Sequence, residues 1–182
     1  MIKTMLKQNN TLQINVAQLL KSLIGTTREY PVEEEVDIAG KNRLVHGNVE
    51  LTRSDRSILV HALLHVDVEL NCGRCLSRFS KPLTLDIQEE YLPKINIYTG
   101  EALPQPEDND AFVIDERNMI DLLDAVRQYA SLAVPIKPLC KEDCAGLCPT
   151  CGHNMNKGSC SCPPENIDPR WDKLRQAFSN RK

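Results

Sequence analysis

Residues 58–91 read ILVHALLHVDVELNCGRCLSRFSKPLTLDIQEEY. Ile58, Val60, Ala62, Leu64, Val66, Val68 and Leu70 fall on every second position, and Cys72 continues their phase. A period of two belongs to a strand with one buried face. After Cys72-Gly73-Arg74-Cys75, a second in-phase set follows: Phe79, Leu83, Leu85, Ile87 and Tyr91. Two long alternating strands joined by a short turn predict an antiparallel hairpin with a CxxC knuckle at its tip. His61 and His65 occupy the opposite phase and are expected on the more exposed face, in a structural role.

Upstream, Val32, Glu34, Val36 and Ile38, then Val45, Gly47, Val49 and Leu51, keep the same period and predict two more strands, punctuated by Gly40 and Asn42. Leu12 and Ile14 suggest a short first strand. Asn15 is placed to cap a helix bearing Val16, Leu19, Leu20, Leu23 and Ile24, with Gly25 as its C-cap. Downstream, residues 93–110 hold Pro93, Gly100, Pro104, Pro106 and Glu107-Asp108-Asn109-Asp110, and read as a solvated linker or long loop. Ala111 to Ile114 suggests a short strand. Asp115 or Asn118 then opens a helix with Leu122, Leu123, Val126, Ala130 and Ala133, stopped by Pro135. Asp168-Pro169 begins a last short helix whose stripe is Trp171, Leu174 and Phe178.

The chain has 182 residues, 41% hydrophobic and 26% charged, within the range of a globular protein. A net charge of −3 excludes a uniformly basic nucleic-acid coat, and 4% aromatic residues exclude a broad base-stacking surface. No apolar run reaches the ~20 residues of a membrane helix, and the start MIKTMLKQNN lacks the apolar stretch of a secretory signal. A cytoplasmic location is expected. In that reducing compartment the eight cysteines point to metal rather than disulfides.

Six of them, Cys140, Cys144, Cys148, Cys151, Cys160 and Cys162, lie in a stretch with almost no large apolar residues. Such a segment cannot fold by burial alone. Cys148-Pro149-Thr150-Cys151-Gly152 is the signature of a zinc knuckle, whose turn converges two sulfurs on one ion. Its other two ligands are either Cys140 with Cys144, or one or both of Cys160 and Cys162. A two-metal cluster on all six thiolates is the alternative by count. Soft thiolates and a spacing unlike the ferredoxins favour structural Zn²⁺, about one per chain. Cys72 and Cys75 could form half of a second metal site, completed by surplus C-terminal cysteines, or a structural turn, or a redox pair. The redox reading lacks the helix N-terminus that lowers a thiol pKa.

The CxRC turn at Cys72–Cys75, the run Leu132-Ala133-Val134-Pro135, the segment Pro138-Leu139-Cys140…Cys144-Ala145-Gly146-Leu147-Cys148-Pro149-Thr150-Cys151-Gly152 and the closing Asp168-Pro169-Arg170-Trp171 occur in that order. Together they resemble the YceD-type, large ribosomal RNA subunit accumulation protein family of bacteria and plastids, from about Leu12 to Phe178. The resemblance implies a role in accumulation of the large-subunit (23S) rRNA, with that rRNA or a pre-ribosomal particle as partner. Genes of the family often neighbour one for a large-subunit ribosomal protein. Some members keep the CxRC turn without the C-terminal cysteines, which implies that the hairpin is the common core and the zinc module an accessory.

Residues 137–182 carry 8 basic and 5 acidic side chains, against 14 and 20 in residues 1–136. Arg74, Arg78 and Lys81 surround the knuckle with no acid between Glu69 and Asp86, and Arg53 and Arg56 flank another turn. These are the candidate contacts to RNA phosphates or to a partner. Glu33–Glu35 and Glu101–Glu116 would repel RNA and suit a basic ribosomal protein instead. No Walker loop, dinucleotide fingerprint or nucleophile elbow is present, and Glu89-Glu90 point to opposite strand faces, so an enzyme is not expected.

The expectation is therefore an α+β protein: a largely antiparallel sheet, barrel-like in one version, with two helices, a C-terminal cysteine-rich zinc-binding module and a short helix. Its parts are 1–92 (helix and sheet), 93–110 (acidic linker or loop), 111–136 (strand and helix on the body) and 137–182 (zinc module). The expected function is a non-enzymatic, RNA- or ribonucleoprotein-binding assembly factor. The alternatives are a zinc-containing protein–protein adaptor and, behind it, a redox CxxC protein.

Overall fold

The computed structural model describes residues 12–105, 111–163 and 169–171. Seven strands, β1 (Gln13–Asn15), β2 (Thr27–Ile38), β3 (Lys41–Arg53), β4 (Ile58–Asn71), β5 (Arg78–Pro93), β6 (Val113–Ile114) and β7 (Met119–Asp121), form one sheet. Their order is β1-β7-β6-β5-β4-β3-β2, and the sheet curls into a half-barrel. Two helices accompany it, α1 (Ala17–Leu20) and α2 (Leu123–Ala133).

The alternating stretch forms the hairpin its pattern dictates. β4 and β5 pair antiparallel from Ile58↔Tyr91 to Asn71↔Arg78. On β4 the buried set is Ile58, Val60, Ala62, Leu64, Val66 and Val68, with His61 and His65 exposed between them. β2 and β3 extend the sheet antiparallel on one side. On the other side β5 meets β6 in parallel, through Leu92↔Val113 and Pro93↔Ile114. Burial of each such Val, Leu or Ile contributes about 1.5–3 kcal/mol. The large core cluster runs from Leu12 to Ala130, and Val134 is the last residue packed against it.

Two segments differ from the sequence reading. The first helix is a single turn. Ser22 Oγ donates to the Leu19 carbonyl at 2.6 Å and the Arg53 guanidinium takes the Leu20 carbonyl, so acceptors near the end of the turn are engaged locally. Leu23 and Ile24, expected on the buried stripe, are 84% and 69% exposed. The second helix begins later than Asp115 or Asn118. Asp115 Oδ1 accepts from the N–H groups of Arg117 and Met119, making a turn that releases Ile120 into β7. Asp121 Oδ1 then accepts from Leu123 N–H at the start of α2. The segment read as a linker or long loop is, as far as it is described, a loop held by local contacts. Ile95 bridges Ala102, Asn96 Oδ1 accepts from Tyr98 and Thr99, and the excursion carries the chain from β5 towards β6. The last helix lies outside the described residues except for the 3-10 turn Pro169–Trp171.

Gly47 marks the closest backbone approach. A Cβ there would sit 2.1 Å from the Leu63 carbonyl oxygen, at a φ of +151°. Gly47→Ala is expected to lower the unfolding free energy by about 3 kcal/mol. Gly40→Ala, at a positive φ but with nothing within 4 Å, is expected to cost only about 1 kcal/mol. Denaturant unfolding of the two variants compares them directly.

Candidate metal centres at the hairpin tip

The β4–β5 turn places Cys72 and Cys75 at the end of the long hairpin, and residues 135–163 fold against that end. The eight cysteines gather as two groups of four: Cys72, Cys75, Cys140 and Cys144, and Cys148, Cys151, Cys160 and Cys162. Within each group the sulfurs all lie within 4.8 Å of one another, and either could hold a metal ion. The CPxCG knuckle is thus completed by Cys160 and Cys162, one of the two options open from spacing. Cys140 and Cys144 instead complete the CxRC turn.

The donor sets fit a tetrahedral thiophilic ion. Cys72 Sγ lies 3.7 Å from Cys144 Sγ, and Cys75 Sγ lies 3.7 Å from Cys140 Sγ. Four thiolates at about 2.3 Å from one Zn²⁺ stand about 3.8 Å apart. All eight cysteines are free thiols. The first group is enclosed: Cys72, Cys75 and Cys144 are buried, and Phe79, Leu139 and Leu147 pack around them as a cluster of their own. The second is more open, with Cys151 exposed and Cys160 and Cys162 half-buried.

The two knuckles share one backbone design. Leu76 N–H donates to the Cys72 carbonyl at 2.9 Å, and Gly152 N–H donates to the Cys148 carbonyl at 2.9 Å. Each donor has a left-handed backbone, φ +58° at Leu76 and +72° at Gly152. The turns aim N–H groups at the first sulfur. A hydrogen bond from the Cys75 backbone, with weaker ones from Cys140 and Arg74, lowers the Cys72 pKa to about 6. The Cys151 and Thr150 backbone does the same for Cys148, also to about 6. Cys140 is pushed up to about 12 by burial and by the sulfurs beside it, and Cys162 to about 12 chiefly by its hydrogen bond with Cys151. One sulfur in each group is ready to ionise and another resists. A divalent cation eases that conflict by offsetting two of the four thiolate charges and bonding to every sulfur.

Polar contacts join the groups to the hairpin. Gly73 N–H donates to the Pro138 carbonyl at 2.7 Å, and Asn154 Nδ2 donates to Ser77 Oγ at 3.1 Å. Asn156 Nδ2 donates to Cys144 Sγ at 3.3 Å while Asn156 Oδ1 accepts from Ala145 N–H. Asn154 and Asn156 were not legible as site residues. Their only sequence signal is their place just after the CPxCG turn.

The predicted cations separate. Arg74 is exposed at the tip, and one nitrogen of its guanidinium donates to the Cys144 carbonyl at 3.0 Å and the Glu142 carbonyl at 3.3 Å. Arg78 is exposed and Lys81 half-buried near the tip, and among the described residues neither forms an ion pair. Arg53 and Arg56 lie at the far end of β4, roughly 40 Å away along a strand of this length. Arg53 is taken up by the carbonyls of Leu20, Ser54, Asp55 and Ser57, and Arg56 pairs with Asp55 at 3.6 Å. His153 contributes its carbonyl, which accepts from Cys148 N–H at 2.8 Å.

Comparison with known proteins bears on this arrangement. The family model for the large ribosomal RNA subunit accumulation protein YceD matches residues 60–176, which include both thiol groups. An uncharacterised protein of Mycobacterium tuberculosis is 35% identical over 105 residues, covering 57% of this chain and 47% of its own length. The chloroplastic large ribosomal RNA subunit accumulation protein YCED homolog 1 is 28% identical over 143 residues in Zea mays, covering 66% of this chain and 49% of the relative. The same homolog in Arabidopsis thaliana is 26% identical over 151 residues, covering 71% and 47%. The chain spans about half the length of the curated relatives it matches. No solved structure matches it.

The left-handed residue supplies a test of the knuckle design. Leu76 is 67% exposed and pays for its positive φ with little packing in return. Leu76→Gly is expected to raise stability by about 0.5–1 kcal/mol, and Gly152→Ala to lower it by about 1 kcal/mol. Chemical unfolding in zinc-containing, reducing buffer measures both.

Proposed function

The chain belongs to the large ribosomal RNA subunit accumulation protein YceD family, and from that premise we propose that it is a non-enzymatic factor supporting accumulation of the large-subunit (23S) rRNA during ribosome assembly. It acts by binding RNA or a pre-ribosomal particle through the thiol-organised tip of its hairpin, in the reducing cytoplasm. The observation that carries this reading is the junction at that tip, where the cysteine-rich segment is seated beside Arg78 and Lys81. Pro138 meets the knuckle directly, which brings Lys137 to the same end, and Lys157 follows the Asn154–Asn156 contacts. Such cations neutralise phosphates without reading sequence.

Zn²⁺ is the ion we assign to the thiols, held by Cys148, Cys151, Cys160 and Cys162 and by Cys72, Cys75, Cys140 and Cys144. What it supplies is structure, because a shell of four thiolates leaves no position for substrate. Among the described residues no helix is long and apolar enough to cross a membrane.

A second reading, a protein adaptor, draws on the sheet face turned away from the core. Leu44, Leu59 and Leu63 are 50%, 47% and 48% exposed there. The pairing register sets Glu33 beside His46, and Glu50 and Asp86 among the same rows. An apolar centre with an acidic surround suits a basic ribosomal protein.

Salt titration of binding to a large-subunit rRNA fragment separates the two. About four phosphate contacts make affinity fall roughly 50-fold on a single strand, and roughly 150-fold on a duplex, between 50 and 200 mM salt. The Arg78→Glu/Lys81→Glu double variant is expected to lose at least about tenfold at low salt. Absence of wild-type binding at low salt would overturn RNA contact and leave the adaptor.

A further inference from the structure

We propose that the two thiol groups are two zinc sites with separate work: Cys148, Cys151, Cys160 and Cys162 fold the C-terminal module on itself, while Cys72, Cys75, Cys140 and Cys144 fasten that module to the hairpin. This rests on the zinc reading above and goes beyond it in the separate role given to each site. The sequence alone pointed to about one ion per chain.

The seam between module and sheet has little of its own to hold it. Among the described residues, none after Val134 belongs to the main core or packs against it. The seam has a few polar bonds, from Gly73 to Pro138, Asn154 to Ser77, and Arg74 to the carbonyls of Glu142 and Cys144. Its apolar part is the small cluster around Phe79, Leu139 and Leu147, and that cluster is built on the sulfurs themselves. Contacts of this size do not hold a module in one place. The four sulfurs do, once a shared ion joins them.

Sequence distance then divides the labour. The ligands of the second site all fall within residues 148–162, so that ion closes only short loops. The first site joins Cys75 to Cys140 and Cys72 to Cys144, separations of 65 and 72 residues. The local site is therefore self-contained within the segment, whereas the long-range site completes only when that segment meets the hairpin, which is already held rigid by its own pairing. Asn156 links the two sites. It follows the second knuckle in the chain and donates to Cys144 Sγ of the first site. The clamped state alone brings the module's Lys137 and Lys157 to the side of Arg78 and Lys81, so the RNA-facing surface is composite.

The test uses the full chain, prepared with zinc under reducing conditions. Native mass spectrometry and elemental analysis should find two zinc ions in the wild type and one in Cys72→Ser/Cys75→Ser. The variant should keep the sheet by circular dichroism, yet limited proteolysis between residues 134 and 147 should quicken at least about tenfold, because cleavage follows the population of the undocked state. Cys140→Ser/Cys144→Ser alters only the tail side and should reproduce the loss of one ion and the faster cleavage, which guards against misfolding of the hairpin variant. A wild type holding a single ion that survives both double substitutions overturns the clamp while leaving zinc and RNA binding standing. One ion lost with no gain in cleavage overturns the fastening role. No zinc in the wild type overturns the zinc reading itself, and absent RNA binding by a two-zinc wild type overturns only the proposed function.

Discussion

Four sulfurs from two distant parts of the chain meet at the end of one hairpin, and among the described residues the cysteine-rich segment has no other anchor of comparable strength. The sheet needs no such help. Its interior is a continuous set of Val, Leu and Ile side chains from β2 to β5, closed by α1, α2 and the short strands β1, β6 and β7. Among the described residues after Val134 there is no equivalent set. Neutral hydrogen bonds contribute about 1 kcal/mol each, whereas a structural zinc site supplies ~10–16 kcal/mol to a small module. The geometry of the tip is therefore governed by sulfur, and the rest of the molecule is the base that presents two of those sulfurs at a fixed spacing.

That base is rigid for a reason visible in its register. Every residue from Ile58 to Asn71 has a partner on β5, so the turn is the continuation of a ladder rather than a free loop. Cys72 keeps the buried phase of β4 and is itself 0% exposed. The first ligand of the enclosed site is thus placed by the same alternation that builds the core, and Cys75 follows from the turn. Arg74 closes the arrangement from outside by gripping the carbonyls of Glu142 and Cys144. A residue that looked like a phosphate contact is part of the joint.

What was legible in the sequence follows from how local each cause is. The β4–β5 hairpin was readable because period two and a short turn are both local. The first helix was over-read because Leu23 and Ile24 continue a helical stripe, and nothing nearby in sequence announces that Arg53 will engage the Leu20 carbonyl. The onset of α2 was misplaced because Asp115 and Asn118 are as good for a turn as for a cap, and the pairing of β7 with β1 decides between them. The CPxCG knuckle was plain. Its equivalent at Cys72–Cys75 was not, since Leu76 stands where a glycine would advertise the left-handed residue. The division of eight cysteines into two fours is tertiary information, and spacing left it open.

The depressed pKa of Cys72 shows how one local feature serves two chemistries. Backbone N–H groups aimed at a sulfur stabilise a thiolate, and a thiolate is both a redox nucleophile and a metal ligand. The neighbours favour one reading. A redox pair acts with two sulfurs and keeps one accessible, but here Cys72 and Cys75 are both buried and two further sulfurs stand at 3.7 Å. Oxidising any pair would leave two further thiols in the enclosed pocket and would pull sulfurs 3.7 Å apart into a bond of about 2.05 Å. The surrounding contacts, including the Asn156 amide on Cys144, are those that orient thiolates around an ion. The low pKa suits a metal ligand as well as a nucleophile, and the site's enclosure and four-sulfur count are the features that make it fit for an ion.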